Sequence, residues 1–181
     1  MSKSQIVTGG IADDAVTANK TSGVGITLSQ QWRITTSFSF STEQDISSNW
    51  EKSDSTGYGS IGSDLTESSG IFTFPSTGFY LIVATFNFRS ATGERAIGGN
   101  IKVTTNNSSY SIVSSAETNN SDIGAAENTT ACGTCQTIID VTDTSNVKFK
   151  FSVLTSGSTQ TCDGSSTRNY TGFTCIRLGD T

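Results

Sequence analysis

Histidine is absent from the chain, and its absence limits what the other reactive side chains can do. Without an imidazole there is no Ser-His-Asp or Cys-His arrangement and no ordinary catalytic zinc site. The 16 Asp and Glu residues leave a two-carboxylate glycosidase open by count, because that chemistry needs only two carboxyl groups at a fixed separation. Nothing in their spacing favours one, and solvated loop carboxylates account for them. Asp13-Asp14 and Asp140-Val141-Thr142-Asp143 cluster the oxygens that calcium takes. Neither has the ligand spacing of a calcium loop, and turn-forming aspartates are the expected reading. No catalytic residue, metal ligand or cofactor is assigned, and the chain is expected not to be an enzyme.

Cys132 and Cys135 have the CxxC spacing of redox and zinc sites. On an extended strand, three steps of about 3.3 Å set their Cα atoms roughly 10 Å apart on opposite faces. A disulfide needs about 7 Å or less, so it would require a turn there. Zinc would need Cys162 and Cys175 as well, whose spacing is irregular. A Cys162 to Cys175 link is geometrically freer. MSKSQIVTGG has no apolar signal-peptide core, so four reduced thiols packed as small hydrophobes are the expectation.

The element that organises the rest runs from Gly70 to Phe88, GIFTFPSTGFYLIVATFNF, and holds the one proline. Gly70, the turn from Pro75 to Gly78 and the β-branched and aromatic residues on both sides predict two strands joined by a tight corner. In the second strand Phe79, Leu81 and Val83 share one parity, while Tyr80, Ile82, Ala84, Phe86 and Phe88 share the other. Both faces are apolar, so the strand is expected to be covered twice, by an opposing sheet and by a neighbouring subunit. Phe79, Tyr80, Leu81 and Ile82 are the candidate interface residues, with the parity that meets the partner left open.

Gly70, Phe72, Pro75, Gly78 and Tyr80, in the order G-x-F-x-x-P-x-x-G-x-Y, resemble the signature of the globular head of complement component q and its tumour-necrosis-factor-like relatives. Ile139 to Val153 resembles that family's turn and following strand, and Tyr170 to Leu178 its closing strand, so the likeness spans about residues 30 to 178. The resemblance implies an all-β, ten-strand jelly-roll sandwich of two antiparallel sheets, assembled as a homotrimer with the Phe79 to Phe88 strand beside the threefold axis. Thr174 and Arg177 depart from the more uniformly apolar closing strand of the family.

Taken in order, residues 1 to 28 read as an extended N-terminal arm and 29 to 181 as the jelly-roll domain. The arm is polar and Gly-punctuated, with Ile6, Val7, Ile11 and Val16 as its candidate docking residues; it cannot bury enough to fold alone. Its phrase TGGIADDAVTANK resembles segments found near the attachment ends, or between modules, of bacteriophage fibre and decoration proteins. Trp32 to Phe40 reads as one half-buried strand that opens the domain. Glu43 to Ser69 reads as a long loop with a small hairpin around Gly57 to Gly62. Ile97 to Thr105 and Tyr110 to Ser114 pair across Asn106-Asn107-Ser108, and Glu117 to Thr130 reads as a loop. Cys135 to Val141 and Val147 to Leu154 are expected to pair around Thr142 to Asn146, with Val147, Phe149, Phe151 and Val153 on a dry face and Lys148, Lys150 and Ser152 on a wet one. Thr155 to Asn169 reads as a loop.

The 181 residues suit one domain, which can bury about 70% of its extended surface. The formal charge is −5 with no Lys or Arg run, so no nucleic-acid partner is expected. No segment approaches the roughly 20 apolar residues of a membrane span. The function expected is that of a bacteriophage virion structural protein made in the host cytoplasm, a homotrimeric head decoration or short fibre protein whose arm docks on a capsid, portal or tail protein. The alternative is a receptor- or glycan-binding module that meets a host surface glycan through its Ser- and Asn-rich loops.

Overall fold

The computed structural model describes residues 25–90, 92–121 and 128–181. The arm residues Ile6, Val7, Ile11 and Val16 lie outside the described residues. The described chain is all β: β1 (Ser29–Ile34), β2 (Thr36–Phe40), β3 (Gln44–Asp45), β4 (Trp50–Lys52), β5 (Thr66–Ser68), β6 (Ile71–Thr73), β7 (Gly78–Ser90), β8 (Glu94–Thr104), β9 (Ser111–Asn120), β10 (Thr129–Val141), β11 (Lys148–Thr155), β12 (Gln160–Ser165) and β13 (Gly172–Gly179). They form two antiparallel sheets, the jelly-roll sandwich expected, with thirteen strands among the described residues rather than ten.

The first sheet is built on β7. β10 runs along one of its edges for the full length, from Val141 opposite Gly78 to Thr129 opposite Ser90. The other edge is shared by β13, facing Phe79 to Thr85, and β12, facing Phe88 and Arg89. Beyond them lie β1 and β4 on one side and β2 on the other. The second sheet has the order β5-β6-β11-β8-β9, with β3 extending the β6 edge of β11.

The core between the sheets follows from strand alternation. Phe149, Phe151 and Val153 of β11, with Val147 just before it, are buried against Tyr80, Ile82, Ala84, Phe86 and Phe88 of β7. Phe72 sits at the centre, with rings of both sheets around it. Two glycines make close approaches possible. Gly70 adopts φ 80°, and a Cβ there would lie 2.2 Å from the Ile46 carbonyl oxygen. At Gly99 a Cβ would fall 2.3 Å from the Phe86 ring, so this ring packs directly on the β8 backbone.

Several expectations are corrected. The Trp32 to Phe40 stretch breaks at Thr35, whose amide donates to the Asn49 carbonyl, and the two halves pair with different strands. No hairpin forms at Gly57 to Gly62; instead Ile61 exchanges both backbone hydrogen bonds with Ser29. Cys135 to Val141 and Val147 to Leu154 do not pair: β10 joins β7, and β11 crosses to the other sheet beside β8. The predicted loops lose residues to β9, which runs on to Asn120, and to β12. Ser152 is fully buried rather than wet, because Glu43 and Asp45 fold over this part of β11. The hairpin at Asn106 to Ser108 is found, with Asn107 at φ 57°.

Candidate self-association surface

The structure settles which parity of β7 faces out. Tyr80 and Ile82 have no exposed surface and belong to the core, so these two interface candidates are withdrawn from that role. Phe79 is exposed, and Leu81 and Val83 are half-buried, on the side of the sheet turned away from the sandwich.

Ladder partners point to the same side of a sheet, so the register extends this face across neighbouring strands. Ile138 lies opposite Leu81, Leu81 opposite Ile176, Ile176 opposite Ser29, and Ser29 opposite Ile61. At about 4.8 Å per strand this row spans roughly 19 Å, and four of its five residues are large aliphatics. Its ends are its most exposed members, with 60% of Ile138 and 50% of Ile61 accessible. Phe79 and Leu178 flank it on the side where the chain enters at Gly25 and ends at Thr181.

The rows farther from the entry end become polar. Next comes Gln136, Val83, Thr174 and Gln31, with the Gln31 amide donating to the Thr174 hydroxyl at 3.3 Å. Beyond it are Thr134 and Thr85, whose hydroxyls are 3.3 Å apart. Then come Cys132 and Asn87, the latter donating to the Tyr170 carbonyl at 2.8 Å. Last is Arg89, paired with Asp163 at 2.8 Å. Tyr170 is the one exposed large hydrophobic group among the described residues in this far half.

Other charged groups tie loops and strands together. Arg33 is completely buried, and its guanidinium donates to Glu51 at 2.7 Å, Ser55 at 2.8 Å, Asp54 and the Ser166 carbonyl, fixing two loops to the edge of the sheet. Glu94 is buried and accepts from Ser156, from the Ser158 hydroxyl and from the Ser158 amide, which together hold its carboxyl far below the usual range. On the second sheet, Lys102 bridges Glu43 at 2.8 Å and Asp45 at 3.1 Å, and Lys150 meets Asp45 at 2.6 Å. The Lys102 hydrogen bond lowers the Glu43 pKa; burial opposes ionising Asp45, but Lys150 and Lys102 outweigh it and lower its pKa too.

Depressed carboxylate pKa values stabilise the fold above the unfolded value near 4 and lose that contribution as pH falls through the folded values. The melting temperature is therefore expected to hold between about pH 5 and 7 and to fall below about pH 4. Asp45→Asn should flatten part of the acid fall in thermal melts across pH; an unchanged acid limb would contradict the assignment.

Cys132 is exposed and Cys135 buried, on opposite faces of β10 as strand geometry requires. Cys162 pairs opposite Phe88 and Cys175 opposite Ile82, six positions apart along β7 and so about 20 Å; the freer disulfide is excluded. Burial pushes both of these thiols up to about 12, far from a reactive thiolate. Among the described residues no three His, Cys, Asp or Glu side chains group as metal ligands.

Of the apolar residues on this outward face, the sequence reading names Phe79 and Leu81 as interface candidates and does not name Ile138, Ile176 or Ile61. Ile61 is a lone aliphatic residue in a polar loop, while Ile138 adjoins the buried Ile139 and Ile176 the buried Cys175, and only the register joins the three on one face.

No protein-family model matches the chain, and no curated protein matches it. Solved structures do. Eiger TNF from S. frugiperda is 11% identical with a TM-score of 0.62, covering 85% of this chain and 94% of its own. Murine APRIL at pH 8.5 is 11% identical with a TM-score of 0.57, covering 83% and 98%. The fold is thus the tumour-necrosis-factor-like jelly roll expected from the Gly70 to Tyr80 signature. The complement-head and phage-arm resemblances rest on the sequence motifs alone.

Proposed function

We propose that the chain is a bacteriophage virion structural protein, a homotrimeric head decoration or short fibre protein anchored by its N-terminal arm. The observation that carries the trimer is the row Ile138, Leu81, Ile176, Ser29 and Ile61: a solvent-facing sheet surface whose aliphatic residues ask for a protein cover. Its position supports the anchoring role. The row lies at the end where the chain enters from residues 1 to 24, so an arm reaching a capsid, portal or tail protein leaves beside the apolar end. Three arms on one trimer bind with avidity that no single arm supplies. The work of the protein is assembly, and its place is the virion.

Leu28 is buried in the core and Thr27 accepts from Arg177 at 3.2 Å, so the test removes only residues 1 to 24. The shortened protein is expected to remain folded and trimeric but to disappear from purified particles of a producing culture, followed with an antibody to the domain. Particles that still carry it would refute the anchoring role. Full-length protein on no particle would refute the virion reading and leave a trimeric module.

A further inference from the structure

At the end where β7 stops, a chain of side-chain hydrogen bonds joins the two sheets. It starts at the buried Glu94, whose carboxylate can only accept. Oε1 takes the Ser156 hydroxyl and the Arg95 amide, and Oε2 takes the Ser158 amide and hydroxyl. Having donated its one hydrogen, the Ser158 hydroxyl accepts from Gln160 Nε2 at 3.0 Å. Gln160 Oε1 in turn accepts from Asn120 Nδ2 at 2.9 Å. The carboxylate thus fixes every direction along the chain, and turning over either amide would break it. What is left is Asn120 Oδ1, a buried acceptor that meets no donor among the described residues, in a residue only 4% exposed.

Asn120 is the ladder partner of Glu94, but the next pair is Ile97 with Thr118, so three steps of β8 stand against two of β9. Such a bulge disrupts the ladder, and here an open cleft lies beside it, lined by Gly93, Glu94, Arg95, Asn119 and Asn120. The cleft holds about 360 Å³. That falls in the range of small-molecule sites and is about ten times the share of one liquid water. We propose that this cleft is a carbohydrate site, in which a sugar hydroxyl donates to Asn120 Oδ1 and the neighbouring oxygen accepts from Arg95 or Asn119 at the rim. The chemistry selects that class. An apolar ligand leaves the buried acceptor without a donor. A cation finds the Glu94 oxygens already taken, two donors to each, and meets the charge of Arg95 at the mouth. A vicinal diol supplies the inward donor and the outward acceptor on adjacent atoms. Gln160 also donates to Ser90, nine residues and about 30 Å along β7 from Leu81, so sugar binding needs neither the apolar row nor the arm.

The test passes full-length protein over agarose carrying mannose, galactose, glucose or N-acetylglucosamine, each column eluted with its own free sugar. Retention on at least one column, reversed by that sugar, is expected, and the side-chain amide resonance of Asn120 should shift as the sugar is added to isotope-labelled protein. Arg95→Ala with Asn119→Ala, two exposed positions whose side chains take no part in the buried chain, should weaken binding at least tenfold and leave the thermal melt unchanged. Asn120→Leu removes the acceptor and should end retention. Because it also leaves Gln160 Oε1 without its donor, the rim pair carries the test if that protein fails to fold. No retention on any of the four columns would overturn the carbohydrate site and leave bound water as the occupant. Retention that the rim pair leaves intact would overturn it too, by placing the sugar elsewhere on the molecule.

Discussion

Leu81→Asp is expected to turn the trimer into a folded monomer. Leu81 is the middle of the apolar row, between Ile138 and Ile176, and its side chain faces away from the core. In the isolated chain Leu81 is half-buried with its outward side open to water, so an aspartate there keeps part of its hydration and costs less than a charge placed in the core. In the assembly the same carboxylate is taken from water with no cation on the row to meet it. An uncompensated buried charge costs about 3 to 5 kcal/mol, which weakens each contact by more than about a hundredfold. The neighbouring substitution separates interface from core: Ile82→Asp puts the charge on a residue with no exposed surface and should unfold the domain. Circular dichroism and sedimentation on both variants give the answer. A Leu81→Asp protein that remains trimeric would remove the row from the interface.

Phe72→Ala is expected to cost about 3 to 5 kcal/mol, the range for removing a fully buried aromatic ring. Phe72 belongs to β6 in the second sheet, yet its ring lies 4.8 Å from Phe173, 5.2 Å from Trp50 and 5.4 Å from Trp32 in the first. It also stacks on Phe149 at 5.1 Å and meets Phe151 at 6.0 Å. Deleting it opens a cavity at the seam between the sheets, where neither can close without losing its partners. Because a domain of this kind has only about 5 to 15 kcal/mol of stability, the loss should shift the urea midpoint strongly while the slope of the transition stays the same. A cost below about 1 kcal/mol would mean that the cluster repacks and that Phe72 is not its centre.

These effects show which parts of the molecule were legible. Alternation along β7 and β11 announced both sheets, because the phenylalanines there recur every second residue, and the Gly70 to Tyr80 signature announced the jelly roll. Alternation could not say which face of β7 meets the other sheet, since Phe79, Leu81 and Val83 are as apolar as Tyr80, Ile82 and Ala84. Packing decides: the bulky aromatics Phe86 and Phe88 continue the even parity into the core, while Thr85, Asn87 and Arg89 continue the odd parity outward. Residues 135 to 154 look like a hairpin because two strand-like runs flank a turn of Thr, Asp, Ser and Asn. In a jelly roll that turn carries the chain from one sheet to the other, and nothing local distinguishes a crossing from a return. β12 was invisible for another reason. Gln160 to Ser165 has one buried thiol and no periodic apolar residues, and it is a strand because β2 and the end of β7 supply partners for its backbone. The candidate surface suffered most, since Ile61, Ile138 and Ile176 come from three separate segments and acquire meaning only in register with Leu81.

The most direct measurement is the native mass of the full-length protein in solution, by sedimentation equilibrium at micromolar concentration and neutral pH. The account predicts three times the 19.0 kDa of one chain, with no detectable single-chain species. A mass of one chain, stable across the concentration range, would contradict it and leave the apolar row of the β7 sheet as a surface for some other protein.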